Sequence, residues 1–240
     1  MRNIVLAIEK EKEYLRDKIK IGIPGLDIHK YLYEAGYYNL EDFRFDKTEY
    51  LLKQQNLTME RIFITTDSLN NWVERVMTGE TFFCSADTET SELGTVAICG
   101  YKFNDFDKYI ENGVLPIVFN YSRGVNITGI HDFNFCICVP LEVELTSDFL
   151  LKKLLYFIYK KNPTARIDSN DIIVEDRKVV GLTPINNPYK CVFIVHISLT
   201  DYIDLIYKLC PPKDPNKKPG FLTNITKQEF EEEVQSWLKP

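Results

Sequence analysis

Short apolar runs limit what this chain can fold into. The two longest, Phe133–Leu141 and Cys191–Ser198, fall far short of the roughly 18 residues that a membrane-crossing helix needs. Both are rich in Phe, Ile, Val and Cys, the pattern of strands inside a sheet. Between such runs lie helical stretches. Ile4, Ile8, Leu15 and Ile19 recur among Glu and Lys over residues 3–20, and Asn162-Pro163 ends an apolar helix opened by Ser147 or Asp148. Thr226-x-x-Glu229 is a capping box for a helix running to Leu238. Helices alternating with runs of strands predict an α+β fold, a mixed and mostly antiparallel sheet flanked by helices. The texture changes near residue 60. Residues 1–60 read as a helical N-terminal extension, and residues 61–240 as the main domain.

Composition excludes several classes. With 45% hydrophobic and 13% aromatic residues the chain has the means to bury a core, so disorder is excluded. A formal charge of −6 argues against a dedicated nucleic-acid binder, which needs a basic face. Only five apolar residues separate Met1-Arg2-Asn3 from Glu9, too few for a secretory leader. The six cysteines form no CxxC pair, so buried free thiols in a reduced, cytoplasmic protein are expected, without structural zinc.

Local signals give the order of elements. Leu40–Phe45 and Lys47–Gln55 predict one or two helices; Arg61–Thr65, Thr81–Ala86, Thr95–Gly100 and Leu115–Asn120 predict strands. Tyr121–Gly129 reads as a polar loop with two glycines, and Phe133–Leu145 as one long strand. Ile172–Val174 and Val179–Leu182 read as a hairpin closed by a tight turn at Asp176-Arg177, followed by a strand at Cys191–Leu199. Lys208–Gly220 is a Pro/Lys-rich loop.

The hairpin from Ser169 to Gly181 carries the most chemical information. It places Asn170-Asp171 at the start of one strand and Lys178 at the start of the next, within reach of each other only if the register allows. On spacing alone this is a surface hairpin with a solvated lysine. The segment resembles the lysine hairpin of the biotin/lipoate protein ligase family, with Lys178 at the position of the lysine that contacts the acyl carboxylate and adenylate phosphate. Other pieces resemble lipoate-protein ligases in the same order. They are Asp67–Met77, Thr95–Phe103, Asp105–Val118, the Asn120–Asp132 loop ending in His131-Asp132, and Leu199–Lys208 followed by Thr223-Asn224-Ile225. The resemblance covers roughly residues 61–238 and implies a class II synthetase-like fold.

The resemblance also implies an activity. A small carboxylic acid such as lipoate is activated with ATP as an acyl-adenylate and passed to an amine, for instance a lysine on a carrier domain. It implies Lys178 as the catalytic cation, Asp171 as a candidate magnesium ligand with Asn170 beside it, and Gly181 in the binding hairpin. Ser122, Arg123, Gly124, Asn126, Gly129, His131 and Asp132 would form the substrate and nucleotide loop. Val125 and Ile127 depart from the family's consecutive glycines, which leaves open a changed acyl substrate, a changed acceptor, or a non-catalytic ligand-binding relative.

Asp201–Pro211 also resembles the end of octanoyltransferases, in which a cysteine at the position of Cys210 forms an acyl-thioester. The alternative for Cys210 is a structural thiol. His131 and Asp132 also read as residues that order a turn, and His196, between Val195 and Ile197, as a satisfied strand histidine. Lys208, Lys213, Lys217 and Lys218 against Asp214 make the Lys208–Lys218 loop locally basic. It is either a solvated connection or a lip for an acidic carrier domain or another polyanion.

Overall fold

The computed structural model describes residues 2–21, 28–64, 74–88, 95–100, 117–120, 125–129, 131–201, 203–204, 207 and 218–239. The chain divides into two compact units, one ending at Asn56 and the other spanning Leu57–Lys239.

The first unit contains α1 (Ile4–Ile21), α2 (Ile28–Glu34) and α3 (Leu40–Lys53). Residues 40–55 hold a single helix because Asn39 caps it, its side chain accepting from the Asp42 N–H, and no breaker interrupts it. Ala7, Ile8, Leu32, Ala35, Tyr37 and Phe43 form its core. The Tyr37 hydroxyl leaves that core to donate to Asp46 at 3.0 Å.

The second unit is α+β. Its strands are β1 (Met59–Ile64), β2 (Phe82–Thr88), β3 (Thr95–Gly100), β4 (Ile117–Asn120), β5 (Val125–Gly129) and β6 (Phe133–Pro140). They continue as β7 (Arg166–Asp168), β8 (Asp171–Val174), β9 (Arg177–Ile185), β10 (Lys190–Ile197) and β11 (Lys218–Pro219). The larger sheet has the order β1-β2-β6-β10-β9-β8-β7, with β11 on β9, and the smaller has the order β4-β3-β5. In the larger sheet β1 is parallel to β2 and β11 to β9, and the other pairings are antiparallel.

Strand alternation divides the larger sheet's side chains between two faces. Phe133 and Phe135 meet Phe230 and Trp237, on or at the end of α5 (Lys227–Ser236). Phe230 also meets Phe157 of α4 (Ser147–Tyr159), so the two helices cover this aromatic face together. On the other face Phe82, Cys84, Ala86, Cys136, Cys138 and Val192 form a cluster with Val76.

Several local expectations shift for identifiable reasons. The polar loop expected at Tyr121–Gly129 is a strand over Val125–Gly129, antiparallel to β3, because Val125, Ile127 and Thr128 are β-branched and favour extended backbone. β6 stops at Pro140, and a short 3-10 turn follows, ending at Glu144 with φ 55°. Thr146, not Ser147 or Asp148, caps α4. The hairpin turn sits one residue earlier than expected, at Glu175-Asp176 (φ 48° and 61°), because a two-residue turn of this hand needs positive φ at both central positions. Strands β7 and β11 carry no apolar run and were not expected. The expected helices at Asp67–Met77 and Asp105–Glu111 lie wholly or largely outside the described residues. No described helix is long and apolar enough to cross a membrane.

The capping box on α5 forms: Thr226 accepts from the Glu229 N–H while Glu229 accepts from the Thr226 N–H. Lys161 first, and then the Thr226 N–H, hold the Glu229 carboxyl down to about 2 from 4.5. A depressed carboxylate stabilises the fold above its unfolded value and loses that contribution as pH falls through its folded one. The urea midpoint is therefore expected to fall between about pH 4.5 and 2, and Glu229→Gln to flatten part of that slope. Thr226→Ala is expected to cost about 1 kcal/mol at neutral pH in the same titration.

Candidate functional site at the polar row of the sheet

The antiparallel register lines up four positions across four strands. Asn134 on β6 faces His196 on β10, His196 faces Gly181 on β9, and Gly181 faces Asp171 on β8. Directly opposed residues project from the same face, so this row continues the face that carries Cys136 and Cys138.

Lys178 joins the row through an irregularity. Ile172 pairs with Val180 but Ile173 pairs with Lys178, which leaves Val179 as the extra residue of a β-bulge. Without the bulge, Lys178 and Gly181, three residues apart, would project to opposite faces. With it, Lys178 Nζ reaches Asp171 Oδ1 at 2.9 Å. The lysine lies across Gly181, where a Cβ would sit 3.0 Å from Nζ and 3.1 Å from Cε, so glycine at 181 leaves the lysine its path. Asp171 is buried and Lys178 half-exposed, so the pair has one end fixed and one open to solvent.

His196 forms the centre of the row. Its Nδ1 lies 2.7 Å from Asn134 Oδ1 and its Nε2 3.0 Å from Ser198 Oγ. Burial lowers its pKa below 6.5; the charge of nearby Asp132 opposes that shift and that of Lys178 adds to it. Asp132 is buried, and its Oδ1 accepts the N–H groups of Leu199 (2.7 Å) and Thr200 (3.0 Å), fixing the chain just after β10.

The basic loop returns beside this row. Lys218 and Pro219 pair in parallel with Arg177 and Lys178, and the Gly220 N–H donates to the Lys178 carbonyl at 2.9 Å. A Cβ at Gly220 would lie 2.4 Å from Arg177 Cβ, so that return requires glycine.

The structure therefore brings Lys178, Asp171 and Gly181 together. Asn170 is exposed next to Asp171, and its carbonyl accepts the Leu182 N–H at 2.9 Å. His131 is exposed immediately before β6. Asn126 and Gly129 lie on β5, paired with Ile98 and Thr95. This stretch is therefore an edge strand on β3, in place of the polar glycine loop expected there. Ser122, Arg123, Gly124, Cys210, Lys208, Lys213 and Lys217 lie outside the described residues. Cys84, Cys136, Cys138 and Cys191 are free thiols. Burial raises all four, Cys138 to about 11, which keeps them protonated and poor nucleophiles.

Ser198 was not singled out from sequence, and Asn134 entered only as the residue that follows His131-Asp132 at the end of the resembling loop motif. Their signal is a polar residue inside an apolar run, but the register that aligns them with His196 is invisible in one dimension.

No protein-family model matches the chain, and no curated protein matches it by sequence. Solved structures do. One of lipoate-protein ligase A bound with ATP superposes with a TM-score of 0.56 and 13% identity over 74% of this chain and 81% of that one. The chain has the lipoate-protein ligase fold. A bipartite lipoate protein ligase from Thermoplasma acidophilum, described with its E2 lipoyl domain, gives 0.52 and 11% over 76% and 80%. LipL1 of P. falciparum in complex with lipoate gives 0.52 and 14% over 79% and 59%. The α+β architecture expected from the resemblance is thus the observed one.

The half-exposed Lys178–Asp171 pair is expected to couple by about 1 kcal/mol in a urea double-mutant cycle of Lys178→Met and Asp171→Asn. In a Gly181→Ala background that coupling is expected to fall, because the new methyl would crowd the ammonium at 3.0 Å. An unchanged coupling there would show that the lysine does not cross Gly181.

Proposed function

We propose that this chain is a divergent acyl-transfer enzyme of the lipoate-ligase type. It activates a small carboxylic acid with ATP as an acyl-adenylate and passes the acyl group to an amine. The observation that carries this reading is the Lys178 ammonium held at Asp171 across Gly181, in a fold shared with ligases solved with ATP and with lipoate.

The chemistry needs a cation at that point. A carboxylate must approach the α-phosphate of ATP, two negative groups meet, and charge builds on the phosphoryl oxygens as the pyrophosphate bond breaks. Lys178 offsets that repulsion, and Asp171 aims it. Holding the acid, nucleotide and acceptor amine in line contributes much of the remaining rate.

Magnesium fits here only in part. Among the described residues no group of three or more His, Cys, Asp or Glu is arranged to hold a metal. Asp171 is the protein ligand such an ion would have, with phosphate oxygens and water completing its shell, a common arrangement for magnesium. The ion would neutralise phosphate charge.

The acceptor in this reading is a lysine on a small acidic carrier domain. Arg177, Lys178 and Lys218, adjacent by register, support that choice, since they bring three basic side chains together in a chain that is acidic as a whole.

The ladder pairing of Val125–Gly129 favours a second reading, a relative that binds its ligand without catalysing. The thiol-dependent alternative assigns acyl transfer to Cys210 without ATP. One assay separates them: carboxylic acids of graded chain length with ATP and magnesium, followed by pyrophosphate release and intact mass. Release that falls by about 10²–10³-fold in Lys178→Ala is the expected result. Ligand binding with no pyrophosphate from any acid would leave the binding relative standing, and an ATP-independent adduct on Cys210 would leave the transferase.

A further inference from the structure

The polar row holds a hydrogen-bond chain that the adenylation chemistry does not use. Asn134 Oδ1 can only accept, so the His196 nitrogen 2.7 Å away, Nδ1, carries the proton. A neutral imidazole protonated at Nδ1 has its lone pair on Nε2. That atom faces Ser198 Oγ at 3.0 Å, so the serine hydroxyl donates to it. The order is hydroxyl, imidazole, orienting amide, which is the arrangement of an activated serine nucleophile with its base and the group that fixes the base's tautomer.

Three surrounding features suit that role. Ser198 is partly exposed, while Asn134 is buried. Its backbone is fixed on both sides: its N–H donates to the Val179 carbonyl at 2.9 Å, and its carbonyl accepts the Leu222 N–H at 3.0 Å. The next two N–H groups are held by Asp132, and burial keeps the ring neutral, with its Nε2 lone pair available, while the Asp132 charge opposes that shift in part. Val179 follows Lys178, so Ser198 is a cross-strand neighbour of the residue next to the site's cation.

We propose that Ser198, with His196 as its base and Asn134 fixing the imidazole, accepts an activated acyl group as an ester before the group passes to an amine. Ser198 Oγ bonds to the acyl carbonyl carbon while its proton moves to His196 Nε2. The bond from that carbon to the leaving group breaks, and the leaving group takes the proton. The acceptor amine then attacks the ester carbon, the C–O bond breaks, and the amine's surplus proton returns through His196 to Ser198 Oγ. This extends the acyl-transfer reading to a covalent step, and its test needs no ATP.

The test uses the full chain with 4-nitrophenyl acetate and 4-nitrophenyl octanoate in the absence of nucleotide. The expected result is a burst of nitrophenolate and an acyl mass on the peptide that carries residue 198. Ser198→Ala loses both, Ser198→Cys gives the adduct back as a thioester, and His196→Gln slows acylation by about 10²–10⁴-fold. In ¹⁵N spectra His196 is the Nδ1–H tautomer, and Asn134→Leu releases that preference. A wild-type chain without an adduct at residue 198, an acylation rate unchanged in His196→Gln, or an Nε2–H tautomer in the wild type would each overturn the proposal. Pyrophosphate release from acid and ATP without a residue-198 ester removes this inference and leaves adenylation standing. An ester without pyrophosphate release in that arm does the reverse.

Discussion

The antiparallel register of β6, β10, β9 and β8 is the constraint on which the site depends. It alone places Asn134, His196, Gly181 and Asp171 in one row, from four segments separated by up to 62 residues between partners. A slip of one residue in any pairing would send that strand's contribution to the aromatic face, among Phe133 and Phe135. The helices α4 and α5 therefore act on the site from the opposite side of the sheet. By covering the aromatic face they make every slipped register bury a polar group without a partner.

Within that frame one bulge decides the chemistry. Val179, left without a partner on β8, turns Lys178 onto the face of Asp171, and Gly181 leaves the lysine its path. The same stretch then receives Lys218–Pro219, so the exit of a basic, proline-rich segment is pinned to the strand that carries the cation. The chain's formal charge of −6 is thus a poor guide to what this edge attracts. Arg177 and Lys218 stand beside Lys178, and Asp171, Glu175 and Asp176 lie on the same hairpin.

Much of this was legible in sequence where the signal is local. The capping box at Thr226 and Glu229, the strand at Thr95–Gly100, and the hairpin around Lys178 follow from propensity, patterning and turn chemistry. Long-range pairing was not legible. β7 and β11 are short and polar, and form because partner strands offer edges, not because their residues favour extension. His196 looked like a satisfied strand histidine, and both its nitrogens do have partners, but the identity of those partners makes it part of a site. The loop expected at Tyr121–Gly129 failed in the opposite sense. Two glycines outweighed Val125, Ile127 and Thr128 in a one-dimensional reading, whereas in the fold β3 supplies a ladder for them.

The energetics of the row bear on what it is for. A lysine–carboxylate pair and a histidine between an amide and a hydroxyl are no more stabilising here than well-packed apolar side chains, because the desolvation they suffer offsets most of what pairing returns. The same face shows the apolar solution a few residues away, where Cys136, Cys138, Cys84 and Val192 pack with raised, inert thiols. One end of the face is thus ordinary core and the other departs from it at four aligned positions, of which the three with polar side chains, Asn134, His196 and Asp171, each have a partner. Departures from local rules that are mutually satisfied, and that converge on a half-exposed cation, are where a sheet trades packing for chemistry.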